Sequence, residues 1–198
     1  KVKLAIGAIV AGEYDLSTAI YDTNEVFNPS EFSASLAIDF SSDGSKLFFL
    51  TNTNIVYAYD LSVAWDISTA TYNSENFSVD TEVPYPDDIY FSSDGTKLFV
   101  LTGQNYVTAY DLSVAWDVSS AVYNSEQYNC PDDSIFVNYM FSFSDDGFKM
   151  YVLDNADVLQ TWDLGTAWDL TTAVYNANES LDLSPQGVNP YKMTWGGN

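Results

Sequence analysis

Phe40-Ser41-Ser42-Asp43-Gly44-Ser45-Lys46-Leu47 returns as Phe91-Ser92-Ser93-Asp94-Gly95-Thr96-Lys97-Leu98, and again as Phe143-Ser144-Asp145-Asp146-Gly147-Phe148-Lys149-Met150. The spacings are 51 and 52 residues, and a fixed period of this length marks a repeat architecture. Within each copy Asp-Gly is a turn signal, because glycine supplies a positive φ and aspartate caps the turn. A second block follows each turn: Tyr59-Asp60-Leu61-Ser62-Val63-Ala64-Trp65-Asp66, then Tyr110-Asp111-Leu112-Ser113-Val114-Ala115-Trp116-Asp117, then Trp162-Asp163-Leu164-Gly165-Thr166-Ala167-Trp168-Asp169. An earlier copy, Tyr14-Asp15-Leu16-Ser17-Thr18-Ala19, lacks the six residues that read Val63-Ala64-Trp65-Asp66-Ile67-Ser68 in the first full unit.

Each unit reads as four strands. The first ends at Phe-Ser-x-Asp-Gly, and the second is Lys-Leu-Phe-Phe-Leu-Thr or its equivalent. The third covers Asn54 to Tyr59 in the first full unit, and the fourth is built around Ala70-Thr71-Tyr72, Ala121-Val122-Tyr123 and Ala173-Val174-Tyr175. The runs are β-branched and aromatic, and no stretch has a helical period. Four short strands every ~50 residues describe one blade of a β-propeller. Trp195 stands 52 residues after Phe143, and Gly196-Gly197-Asn198 continued into Lys1-Val2-Lys3-Leu4 aligns with Ser92 to Leu98 without a gap. The expected fold is therefore all-β: a single domain over residues 1–198, a four-bladed β-propeller closed by pairing of the N- and C-terminal strands. The structural alternative is strand exchange between molecules, which builds a filament instead of a ring.

The Phe-Ser-x-Asp-Gly-x-Lys-Leu element resembles the first turn of WD-like and surface-layer-type propeller repeats. The fuller pattern, Tyr-Asp-Leu-Ser-x-Ala-Trp-Asp, resembles β-propeller repeat proteins of marine phages and aquatic bacteria. The resemblance covers nearly the whole chain and implies architecture; it implies little about activity, since propellers host many functions. Unit one departs from the pattern through its six-residue deletion.

Of 198 residues, 46% are hydrophobic and 17% charged, yet the net charge is -22. All six basic residues are lysine, and there is no arginine or histidine. Nucleic-acid backbones and anionic membrane surfaces are excluded as partners by the sign of the field. Histidine triads and His-ligated zinc are excluded by composition. The longest apolar run, Leu4 to Gly12, is far shorter than the roughly 20 residues of a membrane span, so no membrane insertion is expected. The start of the chain imitates a signal peptide, but it aligns with internal strands. Cys130 has no second cysteine to pair with in the chain; it reads as a buried or inert thiol, with intermolecular pairing open to it in an oxidising medium.

Asp87-Asp88, Asp132-Asp133 and Asp145-Asp146 are the conspicuous carboxylate pairs. A glycosidase needs two facing carboxylates, one with a raised pKa, but these pairs fall in turns or at strand starts, and no catalytic residue is assigned. No cofactor or metal site is expected either. Ca2+ is the one ion with candidate ligands, in Asp154-Asn155-Ala156-Asp157, a cluster that a plain β-turn also explains. Trp65, Trp116 and Trp168 recur on one face: exposed, they would stack on sugars; packed, they would fill space between sheets. Counting back three residues from the aligned aromatic gives Ala37, Asp88, Met140 and Lys192 as channel-lining positions, with Asp88 and Lys192 opposed across the channel or one of them at a solvated rim. Asn76-Phe77-Ser78 and Asn178-Glu179-Ser180 match the N-glycosylation pattern, just past the expected fourth strand.

These readings converge on a non-enzymatic structural or interaction module of an extracellular assembly such as a fibre, filament or virion appendage, located outside cells or on a virion surface. Expected partners are further copies of the chain or another assembly protein, docked at the Trp-Asp face in high salt. The alternative is a glycan-binding adhesin or lectin-like receptor-binding module using the same tryptophans.

Overall fold

The computed structural model describes residues 27–104, 106–130, 140–154 and 157–183. Among these residues the fold is all-β, with three antiparallel sheets that follow the repeat. The first sheet contains β1 (Ser35–Phe40), β2 (Lys46–Thr51), β3 (Ile55–Leu61) and β4 (Ala70–Ser78). The second contains β5 (Pro86–Phe91), β6 (Lys97–Thr102), β7 (Tyr106–Leu112) and β8 (Ala121–Asn129). The third contains β9 (Met140–Phe143), β10 (Lys149–Leu153), β11 (Val158–Leu164), β12 (Ala173–Tyr175) and β13 (Leu181–Asp182). Each sheet is a meander in chain order, the strand order of a propeller blade. No helix among the described residues is long and apolar enough to cross a membrane.

The second strand of the middle sheet, β6, is apolar on both faces because each face meets a different sheet. Phe48 and Leu50 point from β2 toward Ile89, Phe91, Leu98 and Val100 of the second sheet. Leu47 joins a separate cluster with Tyr59 and Leu61 on the opposite face. On β6, Leu98 and Val100 belong to the first of these interfaces, while Phe99 and Leu101 turn to Phe141, Phe143, Met150 and Val152 of the third sheet. Burying each such side chain contributes about 1.5–3 kcal/mol, so the stacking of sheets carries the stability. The inner strands are also tied by polar contacts. The Phe91 N–H donates to Asp39 Oδ2 across 3.1 Å, and the Tyr90 hydroxyl donates to the Phe143 carbonyl across 3.4 Å.

The fourth strands are longer than the Ala-Thr-Tyr runs suggest. In β4 the register with β3 shifts between Tyr57 and Tyr59, and Ser74 takes a φ of 70°. This bulge lets the strand continue to Ser78, so Asn76 lies inside β4 and not beyond it. In β8 Ser125 takes the same role at 69°. The third sheet has Asn176-Ala177-Asn178-Glu179 where the others have Asn73-Ser74-Glu75 and Asn124-Ser125-Glu126. That one extra residue turns the bulge into a turn, with the Glu179 N–H on the Asn176 carbonyl. The outer strand therefore splits into β12 and β13, which pair with opposite ends of β11.

Candidate functional site

The three Trp-Asp blocks form one latch, built three times. Gly44, Gly95 and Gly147 hold φ values of 71°, 72° and 73° in their turns. Each turn is braced by its aspartate: Asp43 Oδ1 accepts from the Ser41 hydroxyl at 2.7 Å and the Ser45 N–H at 2.9 Å. These donors hold the Asp43 carboxyl down at about 2, the Ser45 N–H contributing most. Directly over the glycine lies the indole of Trp65, Trp116 or Trp168; a Cβ on Gly95 would meet the Trp116 ring at 2.3 Å. The tryptophan backbone N–H donates to the glycine carbonyl at 3.0, 2.9 and 3.0 Å in the three units. The tryptophans themselves sit at φ 67°, 65° and 65°, a left-handed backbone rarely taken by bulky residues. The ring-on-glycine contact offsets that strain. The next residue, Asp66, Asp117 or Asp169, caps a 3-10 turn by accepting from the N–H of Ser68, Ser119 or Thr171.

The rings also reach between sheets. Trp116 stacks at 6.2 Å on Phe48 and lies 5.6 Å from Phe91. Trp168 stacks on Phe99 at 6.1 Å and Tyr90 at 6.2 Å, and lies 5.3 Å from Phe143. Both are half-buried. Trp65 is 56% exposed, with Phe40 at 5.4 Å.

A second repeated device was not anticipated from the sequence. Each turn lysine is clamped by two carboxylates: Lys46 by Asp60 and Glu75, Lys97 by Asp111 and Glu126, Lys149 by Asp163 and Glu179, at 2.7–3.4 Å. The aspartate faces the lysine in register across the second and third strands; the bulge carries the glutamate over to it in the first two sheets, and the turn from Asn176 to Glu179 does so in the third. For Lys46 and Lys97 burial works against the charged form, but the carboxylate hydrogen bonds outweigh it and both ammonium groups end above their ordinary value. The available signal was the recurrence of Asn-x-Glu or Asn-x-x-Glu beside the recurrent lysine. Tyr59 and Tyr110, 28 residues after Glu31 and Glu82, place their hydroxyls on those carboxylates at 2.6 and 3.4 Å.

The paired acids behave differently from one another. Asp87 sits at a bulge in β5, where the register with β6 shifts between Pro86 and Asp88. Its Oδ2 is buried without a hydrogen bond, and a Cβ on Gly103 would stand 2.9 Å from it. Burial, and then the charge of Asp88, push the Asp87 carboxyl above its ordinary value. Asp88 is buried, not at a solvated rim, and accepts from the Ile89 N–H at 3.0 Å. Its proposed opposite number, Lys192, and the pair Asp132-Asp133 lie outside the described residues, as does the Met140 side chain. Asp154 spends its carboxylate on the hairpin, accepting from the Val158 N–H and the Gln160 amide at 2.8 Å each. Among the described residues no group of three or more Cys, Asp and Glu is disposed to hold a metal ion. Asn76 and Asn178 are both exposed; Asn76 donates to the Tyr72 hydroxyl at 2.9 Å. Cys130 is buried, and burial pushes its thiol up to about 12.

No protein-family model matches the chain, and no curated protein matches it. Solved structures do. A candidate 6-phosphogluconolactonase from Bacteroides uniformis is similar with a TM-score of 0.53 at 14% identity, over 71% of this chain and 39% of that one. A candidate 6-phosphogluconolactonase from Bacteroides fragilis gives 0.50 at 16% identity, over 78% and 42%. A β-propeller domain from Myceliophteria thermophila gives 0.47 at 15%, over 75% and 41%. The chain spans about two fifths of the length of each. These similarities concern the fold. They correct one expectation: the two Bacteroides proteins put an enzyme's name on this arrangement of sheets, so the lack of histidine and arginine does not by itself make the chain a non-enzyme.

Proposed function

We propose that the chain is a four-bladed β-propeller, closed by strands from its two ends, that serves as an interaction module of an extracellular assembly such as a fibre or virion appendage. The observation that carries the reading is the state of the outer face of the first sheet. Ile38 is 41% exposed, while its repeat counterparts Ile89 and Phe141 are 0% exposed beneath a preceding sheet. An apolar sheet face of this kind calls for a cover. The aligned pieces of one further unit stand in residues 1–26 and 184–198, with Lys3 in the place of Lys97 and Trp195 in the place of Phe143.

The module reading draws on how the repeated side chains are used. Tryptophan, glycine, lysine and the turn aspartates brace each of the three described units in the same way, so their scaffold is uniform and their differences lie at the surface. A net charge of -22 keeps such a body dispersed at low salt and lets it associate once salt shortens the Debye length. Sedimentation at low and high salt tests this: salt-promoted self-association or capture of an assembly component is the expected result, and a chain that stays monomeric and partnerless throughout refutes it. Ring closure is tested separately by removing residues 1–6, which should unfold the domain or drive strand exchange.

A further inference from the structure

Tyr85, in the connection from β4 to β5, is 65% exposed, the most exposed aromatic side chain among the described residues. Its backbone is held from two sides. The Pro84 carbonyl accepts from Asn54 Nδ2 at 3.1 Å, in the β2–β3 hairpin of the first sheet. The Tyr85 carbonyl accepts from the Gly103 N–H at 3.0 Å, in the β6–β7 hairpin of the second sheet. Val83 and Pro86 are buried on either side of it, and Pro84 and Pro86 fix their own φ. The residue therefore stands where the first and second sheets meet, between two hairpin tips. The repeat does not demand an aromatic there, because the aligned residue of the first unit is Ala34. A rigidly held, exposed ring loses little conformational freedom when it binds. The tips beside it carry uncharged hydrogen-bonding side chains, Asn52 and Thr53 on one and Gln104 on the other, all exposed. Asn54 Nδ2 also donates to Asp80 Oδ1 at 2.6 Å. That bond sets the exposed Asp80 carboxylate two hydrogen bonds from the Pro84 carbonyl, in the peptide that leads into Tyr85.

We infer that Tyr85 is the stacking platform of a subsite for a neutral pyranose unit of a glycan. The C–H face of a sugar ring packs on an aromatic face, and the hydroxyls at its rim need amide, hydroxyl and carboxylate partners. A protein partner needs several apolar anchors over about 800 Å² on each side. Tyr85 is the one exposed aromatic side chain of its connection and of the described residues at the two tips. An anionic glycan is opposed by the net charge of -22. Trp65, Trp116 and Trp168 are committed to their glycines, so the platform is not the one that their motif suggests. The inference does not rest on the assembly reading, and a chain that never self-associates leaves it standing.

An array of neutral oligosaccharides built from glucose, galactose, mannose and N-acetylglucosamine is the test. Wild type should bind at least one of them, and equally at low and high salt, because no ion pair is involved. Tyr85→Ala should weaken that binding about tenfold, and Tyr85→Trp should preserve it. Both variants should keep the urea midpoint of wild type, since the replaced ring is exposed. Wild type that binds none of these sugars, or binding that Tyr85→Ala leaves unchanged, would overturn the site. So would a tetralysine peptide that binds wild type, loses its affinity with Tyr85→Ala and is displaced by none of the sugars, since the ring would then serve a cationic partner.

Discussion

Gly95→Ala probes the latch most directly. The new Cβ would stand 2.3 Å from Trp116 Cδ2 and Cε2, far inside van der Waals contact, so the indole must leave. Alanine at φ 72° costs about 1 kcal/mol. Expelling the ring separates it from Phe48 and Phe91, at about 1 kcal/mol for each aromatic pair. Apolar surface uncovered between the sheets adds about 1–2 kcal/mol. The expected loss is about 4–5 kcal/mol, read as a fall of about 2 M in the urea midpoint. Gly44→Ala meets the same geometry, with its Cβ 2.2 Å from Trp65, but that ring is largely exposed and swings into water at about half the cost. In a Trp116→Ala background Gly95→Ala should cost only the backbone term of about 1 kcal/mol. Equal costs for Gly95→Ala and Gly44→Ala, or a Gly95→Ala cost that persists without Trp116, would refute the latch.

Asp87→Asn should raise the melting temperature at neutral pH, since it removes a charge held in a buried bulge beside Asp88. The folded-state pKa of Asp87 lies above its unfolded value, so wild type recovers stability as pH falls through that folded pKa; the two melting curves should converge in acid and separate toward neutrality. Deleting Ala177 restores the Asn-x-Glu spacing of the other units and should fuse β12 and β13 into one bulged strand. Hydrogen exchange would report this as new amide protection across residues 176–180, and unchanged exchange there would count against the one-residue explanation of the split.

The strands and turns of the three described units were legible because period, turn chemistry and β-branched runs agree with one another at every repeat. Phe40, Asp43, Gly44 and Lys46 each announce a role that depends on local backbone. What escaped is what depends on distance across the sheet. Lys46, Lys97 and Lys149 mark the period, but their clamping by Glu75, Glu126 and Glu179 needs a bulge at Ser74 or Ser125, or the turn from Asn176 to Glu179, which the strand pattern does not announce. The positive φ of Trp65, Trp116 and Trp168 was equally hidden, since propensity argues against it and only the facing glycine makes it stable. Cover of Trp116 by Phe48 and of Trp168 by Phe99 comes from the preceding sheet, a contact outside the motif itself. The acid with the raised pKa in Asp87-Asp88 was visible as a pair, but not as the odd residue of a bulge.

Trp116 closes two loops of very different length: onto Gly95, twenty-one residues back, and onto Phe48, sixty-eight residues back. Closing the short loop costs less chain entropy, and local contacts form sooner than remote ones. Each unit therefore fastens its own turn first and acquires its aromatic lid afterward. During synthesis that lid already exists when it is needed, because Phe48 leaves the ribosome well before Trp116, and Phe99 before Trp168. The direction of translation and the direction of stacking coincide, so every completed unit offers a prepared surface to the next. Refolding from denaturant has no such sequence, and fluorescence from the tryptophans should then resolve a fast phase of turn closure and a slower one of ring stacking.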